Sequence, residues 1–140
     1  MSQAGFVVKS YEVGQQRAQY AATYLGCTMV ENLRSLDGTI DCFFSAHVIE
    51  HLPDPNIVFV EAAKLLAPGG YFVCYCPNGN PDRERIDASY HKIWGKVHPL
   101  LITPNFMRWA CERHGFVLLE STREDLIKDD LLTVARKAAE

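Results

Sequence analysis

The feature that most constrains the fold of this chain is the alternation of amphipathic helical stripes with short apolar runs. In Gln15–Leu25, apolar side chains recur every three or four residues, which predicts a helix with one apolar face. Two further stripes each begin after a capping residue and a proline, at Asp54-Pro55 and at Thr103-Pro104. The sequence therefore predicts three helices.

The apolar runs around these stripes have the length and the β-branched or aromatic content of strands. They are Phe6–Tyr11, Cys27–Val30, Ile40–Ser45, Tyr71–Cys76, Phe116–Glu120 and Leu131–Ala135. Strands that alternate with helices favour an α/β fold with a mostly parallel sheet. Because ligands bind beyond the carboxyl ends of such strands, the residues that follow each run are the first candidates for a functional site.

Composition narrows the class of protein. The 140 residues are 48% hydrophobic, which suits a single packed domain over residues 1–140. The net charge of −3 shows no excess of basic residues of the kind that binds nucleic acid. No apolar run reaches the roughly 20 residues that a membrane-spanning helix needs. The first residues lack the pattern of a signal peptide, and the five cysteines form no C-x-x-C pair. We therefore expect a cytoplasmic protein with reduced thiols and with neither a nucleic-acid nor a membrane partner.

One short motif raises the alternative of a zinc hydrolase. The stretch from His47 to His51 fits H-x-x-E-H, the inverted pattern of some zinc peptidases. That chemistry needs a helix long enough to hold both histidines, whereas Pro53 interrupts the chain two residues later. We therefore predict no metal site, and we expect Glu50 and His51 to orient or cap the local loop.

A longer set of motifs resembles the small-molecule branch of the class I S-adenosyl-L-methionine-dependent methyltransferases. The stretch 41–55, the turn 68–70, the pair Pro77-Asn78 and the stretch 98–116 follow the order and spacing of that family. The resemblance covers nearly the whole chain from Gly5 onward. It implies a Rossmann-like sheet with an antiparallel last strand, and transfer of a methyl group from S-adenosyl-L-methionine to a small-molecule acceptor.

The resemblance also implies which residues contact the cofactor. Glu12 matches the acidic residue after a strand that accepts hydrogen bonds from the ribose hydroxyls. Asn32 matches a position that contacts the adenine amino group, where the family often has aspartate. Ser45, Ala46 and His47 match the segment that passes under the methionyl part of the cofactor.

The connection from residue 77 to residue 103 is long for a compact domain, and long connections often carry function. It lies where the acceptor is expected, so Asn78, Arg83, Tyr90 and His98 are the candidate substrate contacts. An arginine there can hold a carboxylate or a phosphate. His98 and His47 are the candidates for a general base in the catalytic step.

The sequence departs from the family at its start. The first family strand and its G-x-G-x-G loop should precede Gly5, and the 140 residues do not contain them, so the first strand–helix unit is expected to be missing. Losing about three backbone hydrogen bonds at ~1 kcal/mol each would weaken cofactor binding roughly a hundredfold. The alternative to an N-terminally incomplete methyltransferase is a non-catalytic binding or interaction module. That module is expected to form a homo-oligomer that covers exposed sheet edges.

Overall fold

The computed structural model describes residues 4–85, 87–96, 98–123 and 130–139. The chain divides into two compact units, Met1–Leu36 and Asp37–Glu140. The helices and strands, with their bounds, are α1 (Gln15–Leu25), β1 (Ile40–Ala46), α2 (Asn56–Leu65), β2 (Leu66–Pro77), α3 (Pro104–Arg113), β3 (Phe116–Ser121) and β4 (Asp130–Lys137). Short 3₁₀ helices cover Leu33–Leu36, Ile49–His51, Pro81–Arg85 and Tyr90–Ile93. Among the described residues, no helix has the length and apolar character that crossing a bilayer requires.

The first unit contains α1, with the bounds that the apolar periodicity predicts. The helix ends at Gly26, whose φ of 65° is left-handed backbone that glycine adopts at little cost. The two runs predicted as strands, Phe6–Tyr11 and Cys27–Val30, meet in a single parallel bridge between Ser10 and Met29. The strand prediction was wrong for both runs, because an extended segment becomes a strand only when a neighbour offers it a ladder of hydrogen bonds.

The second unit is built on a four-stranded sheet in the order β1-β2-β4-β3. β1 and β2 are parallel, and β4 runs antiparallel to both β2 and β3. Three strands therefore share one direction and the last strand is reversed. This confirms the predicted α/β class and the antiparallel last strand.

β1 lies at an edge of this sheet, and its burial differs from the prediction. The apolar run was predicted as a buried strand, yet Ser45 is its one buried residue and Phe44 is 52% exposed. An edge strand is covered on fewer sides than a central one, so apolar content alone does not decide its burial.

The core of the second unit is a cluster of aromatic rings between the helices and the sheet. Phe72 on β2 lies 5.1 Å from Phe59 on α2 and 5.3 Å from Phe116 on β3, measured between ring centroids. α3 packs nearby through buried residues that include Met107. The start of α3 is fixed by Thr103, whose hydroxyl oxygen accepts a hydrogen bond of 3.1 Å from the Phe106 N–H.

Two turns position the ends of α2. The Asp54 carboxylate accepts a hydrogen bond of 2.9 Å from the Asn56 N–H. Pro55 is the N-cap and α2 starts at Asn56, one residue later than the sequence predicts. At its other end α2 passes directly into β2, and the turn at 68–70 lies inside the strand as an irregularity in its register with β1. Gly69 has a φ of 75°, which suits glycine at this point.

Candidate functional site

Glu12 is held in a defined orientation within the first unit. Its Oε1 accepts hydrogen bonds from the Gly14 N–H at 2.6 Å and from Arg17 Nη2 at 3.1 Å. The Gly14 N–H, followed by the Arg17 guanidinium, lowers the pKa of Glu12. A groove of about 490 Å³ in this unit is lined by Glu12, Arg17 and Tyr20 among other residues. The site thus has an ionised carboxylate at neutral pH, which suits a group that accepts hydrogen bonds from hydroxyls.

Asn32 is exposed and caps a short 3₁₀ helix in the same unit. Its Oδ1 accepts a hydrogen bond of 3.0 Å from the Arg34 N–H, and its carbonyl accepts one of 2.8 Å from the Ser35 hydroxyl. A carbonyl oxygen has two lone pairs, so Oδ1 can accept a second hydrogen bond. The predicted contact with an adenine amino group therefore competes with no existing bond.

In the second unit, the end of β1 leads into a tight turn. Ser45 is buried, Ala46 ends the strand, and His47 has a φ of 52°, the one positive φ among the described non-glycine residues. The His47 N–H donates a hydrogen bond of 2.8 Å to the Tyr75 carbonyl, and its ring lies edge-on to the Tyr75 ring at 5.4 Å. A non-glycine residue in left-handed backbone is strained, and such positions concentrate at functional sites.

Glu50 follows this turn and is completely buried. It lies on the 3₁₀ helix Ile49–His51, with its Oε1 3.4 Å from His47 Nδ1 and 3.7 Å from His51 Nε2. Within the described part of the chain, neither carboxylate oxygen has a hydrogen-bond partner. A fully buried carboxyl group without a hydrogen-bond partner is uncommon in folded proteins and requires a physical explanation.

The backbone at the end of β2 is held in place by hydrogen bonds and close packing. Asn78 is fully buried, and its Oδ1 accepts a hydrogen bond of 3.0 Å from the Asn80 N–H. The Gly79 N–H donates one of 2.7 Å to the Ile102 carbonyl, and a Cβ at Gly79 would lie 2.6 Å from the carbonyl carbon of Leu101. Glycine is required here because another stretch of backbone passes directly alongside. Asn78 is therefore held rigidly at the carboxyl end of β2.

Arg83 and Tyr90 form a buried pair in the connection that follows. Arg83 donates a hydrogen bond of 3.3 Å to the Asn78 carbonyl and lies 5.3 Å above the Tyr90 ring. Its guanidinium also lies 3.6 Å from the Asp87 carboxylate. Burial raises the pKa of Tyr90, so its hydroxyl stays protonated at neutral pH. Three of the four predicted substrate contacts thus lie together.

His98, the fourth predicted substrate contact, lies in a different cluster. Its ring is 4.7 Å from the His51 ring and 6.1 Å from the Trp94 ring. Trp94 in turn lies edge-on to Tyr90 at 5.5 Å, which links the two groups. The structure therefore brings a third histidine, from a distant part of the sequence, close to His51, which follows β1 together with His47.

Comparison with known proteins identifies the family that this chain resembles. Residues 7–74 match the family model described as a methyltransferase domain. Ubiquinone biosynthesis O-methyltransferase of Caulobacter sp. is 30% identical over 83 residues, which cover 52% of this chain and 33% of that protein. An uncharacterized 37.1 kDa protein in transposon TN4556 of Streptomyces fradiae is 37% identical over 54 residues, 39% of this chain and 14% of that protein. The chain thus spans a third or less of these curated relatives.

Solved structures agree on the fold. A SAM-dependent methyltransferase from Methanosarcina mazei superposes with a TM-score of 0.72 at 16% identity, covering 99% of this chain and 85% of that one. A geranyl diphosphate methyltransferase in complex with GPP and sinefungin gives a TM-score of 0.74 at 14% identity, covering 96% and 65%. The chain has the class I methyltransferase fold. The family model and these structures together confirm the resemblance that the sequence motifs indicate.

Sequence reasoning about this methyltransferase fold missed the grouping of Glu50, His51 and His98. The motif was set aside as too short for a metal site that uses both of its histidines, His47 and His51. The structure instead groups the glutamate and the second histidine with His98. The signal available in the sequence was an acid–histidine pair directly after a strand together with a histidine in the long connection.

Proposed function

We propose that this chain is the S-adenosyl-L-methionine-binding and catalytic part of a methyltransferase that acts on a small-molecule acceptor. The observation that carries the proposal is the match to a methyltransferase domain over residues 7–74. That range includes every predicted cofactor contact, namely Glu12, Asn32, Ser45, Ala46 and His47. The ionised carboxylate of Glu12 fits the diol of a ribose through Oε2, whose two lone pairs can accept from both hydroxyls while Oε1 accepts from Gly14 and Arg17.

When bound, S-adenosyl-L-methionine supplies an electrophilic methyl group on a positively charged sulfur. The contribution of this chain is alignment, because bringing a nucleophile and a methyl carbon into line removes a large entropic cost. A base is needed only where the acceptor must lose a proton. We assign that role to His98, whose ring lies 4.7 Å from that of His51, or to His47, whose Nδ1 lies 3.4 Å from Glu50 Oε1.

Two observations support a small-molecule acceptor. One curated relative is an O-methyltransferase of ubiquinone biosynthesis, and one structure of the same fold is a geranyl diphosphate methyltransferase. In this chain, Asn78, Arg83 and Tyr90 form a compact group after β2. We propose that this group and His98 contact the acceptor.

Calorimetry with S-adenosyl-L-methionine and with S-adenosylhomocysteine tests the proposal on the full chain. Since the sequence lacks the glycine-rich loop, the titration has to extend to millimolar ligand. We expect binding that Glu12→Gln weakens, while Glu31→Gln at an exposed position leaves it unchanged. The absence of both binding heat and a thermal shift at millimolar ligand would overturn the proposal for this chain.

A non-catalytic interaction module is the second candidate, and the edge position of β1 favours it. Phe44 is exposed on this edge strand, and open edges pair readily with other strands. This candidate predicts a self-associated chain in sedimentation, which Phe44→Lys dissociates and Ile57→Lys on α2 does not. A strictly monomeric protein that binds the cofactor would exclude it.

A further inference from the structure

Three side chains with metal-binding atoms converge at the turn after β1. Glu50, His51 and His98 each offer one ligand atom, and these atoms lie within 4.8 Å of one another. Glu50 and His51 are neighbours on the 3₁₀ helix Ile49–His51, whereas His98 arrives from the connection between β2 and α3. The fold therefore assembles a group that no local spacing in the sequence creates.

The buried carboxylate of Glu50 is an independent sign that something binds here. Its side chain is fully buried, and neither oxygen has a hydrogen-bond partner among the described residues. The imidazoles of His47 and His51 lie 3.4 and 3.7 Å from Oε1. Buried carboxylates are retained where they are paired with a cation or coordinate a metal, since leaving one uncompensated is costly.

We propose that Glu50, His51 and His98 bind one divalent first-row transition-metal ion, with zinc as the representative. Two imidazoles and a carboxylate are the ligand set of many zinc sites that keep a fourth position open. Imidazole also favours zinc and its neighbours over magnesium, which prefers oxygen ligands. This site differs from the inverted peptidase pattern, because the first histidine of that motif is not one of the three ligands.

The geometry is close to that of a metal site. Tetrahedral ligands at zinc-like bond lengths of roughly 2.0–2.1 Å lie about 3.3 Å apart. His51 Nε2 and Glu50 Oε1 are already 3.7 Å apart, and the rings of His51 and His98 are 4.7 Å apart with a tilt of 47°. His51 is exposed, His98 is half-buried and Glu50 is buried, and closing these distances to tetrahedral values requires shifts of roughly 1 Å in the two imidazoles.

Zinc titration of the full chain, after treatment with a chelator, tests the site. We expect one zinc ion per chain by calorimetry, and a cobalt absorption spectrum typical of nitrogen and oxygen ligands. His51→Gln and His98→Gln should each weaken zinc binding by at least about tenfold, since even changes outside the ligand shell have effects of that size. The matched control is His91→Gln, an exposed histidine of the same connection, which should bind zinc like the parent.

Two results would overturn the proposal. One is the absence of stoichiometric zinc binding by the parent chain, which would mean that the neighbouring imidazoles alone compensate Glu50. The other is binding that His51→Gln and His98→Gln leave as tight as in His91→Gln. Both replaced side chains reach solvent, so circular dichroism should show folded variants, and Glu50→Gln at the buried position is a supplementary variant. The cofactor takes no part in this experiment, so a failure to bind zinc is distinguishable from a failure of the proposed methyl transfer. Zinc bound by His98 would leave His47 as the candidate base.

Discussion

The Tyr75 hydroxyl donates a hydrogen bond of 2.5 Å to the Asp130 carboxylate and so joins the end of β2 to the start of β4. The two residues are 55 positions apart in the sequence. In the antiparallel register of these strands, Tyr75 lies opposite Leu132, and Asp130 lies opposite Pro77. The bond therefore reaches across the intervening Cys76–Leu131 pair and anchors the reversed strand beside the turn that carries His47.

This bond predicts a loss of stability at alkaline pH. The hydrogen bond to Asp130, together with burial, raises the pKa of Tyr75 above its unfolded value of about 10. The native state thus favours the protonated phenol, so the stabilisation is complete below about pH 10 and is lost as pH rises through the raised pKa. Tyr75→Phe should lower the urea midpoint at neutral pH, with a difference from the parent that shrinks above pH ~10. Tyr71→Phe on the same strand is the control, and an equal effect from it would contradict the assignment.

The cap of α3 makes a second prediction. Thr103→Ala should destabilise the second unit by about 1 kcal/mol, because the Phe106 N–H loses its acceptor. Thr103→Ser keeps the hydroxyl and should retain most of that stability. Urea unfolding followed by circular dichroism measures both variants. Equal destabilisation by alanine and serine would mean that the methyl group, and not the hydrogen bond, matters.

The aromatic core makes a third prediction. Phe72 is fully buried and contacts the rings of Phe43, Phe59 and Phe116, so Phe72→Ala should reduce the free energy of unfolding by about 3–5 kcal/mol. Phe44→Ala, at the neighbouring exposed position on β1, should change it by less than about 0.5 kcal/mol. Chemical denaturation compares the two, and Phe72→Leu provides a milder variant if the alanine variant does not fold. Similar costs at Phe72 and Phe44 would contradict the core described above.

Thiol labelling makes a fourth prediction. Cys42 is exposed on β1, whereas Cys74, Cys76 and Cys111 are buried and should react only after unfolding. Burial raises the pKa of the Cys111 thiol to about 12, which reinforces its protection. Mass spectrometry after alkylation at about pH 8 identifies the modified thiols. Labelling of the buried cysteines as fast as Cys42 would show that the second unit opens readily.

The charge beside Cys42 refines this experiment. Partial burial, followed by the Asp41 carboxylate, raises the pKa of Cys42, so its labelling rate should keep rising with pH beyond the ordinary thiol range. Asp41→Asn should lower that pKa and speed labelling at about pH 8, because the thiolate is the reacting species. Asp37→Asn, which removes an exposed charge before the strand, should leave the rate unchanged. Equal acceleration by both variants would point to net charge and not to the neighbouring carboxylate.

Local signals predicted much of the fold. The helical period over Gln15–Leu25 and the cap at Thr103 define α1 and α3, because both depend on residues within a few positions of each other. The runs at Phe6–Tyr11 and Cys27–Val30 failed as strands, since pairing depends on partners that no local pattern reveals. The burial of β1 was also misjudged, because exposure depends on the position of the strand in the sheet.

The candidate site also has parts that local sequence predicts and parts that it does not. The sequence motifs alone predicted a resemblance to the methyltransferases, and the family model over residues 7–74 and the fold confirm that resemblance. The cofactor and substrate assignments rest on that resemblance and stay predictions. Asn78, Arg83 and Tyr90 are near in sequence, and their proximity follows from one well-packed connection.

The sequence by itself determined the order of helices and strands in the second unit and the resemblance to the methyltransferases, because periodicity, caps and motif spacing are properties of neighbouring residues. Only the tertiary structure decided that β1 lies at an edge and that His98 meets Glu50 and His51. Those relationships join segments far apart in the chain. They arise from strand order and from packing of the connection after β2, and neither is encoded by any local pattern.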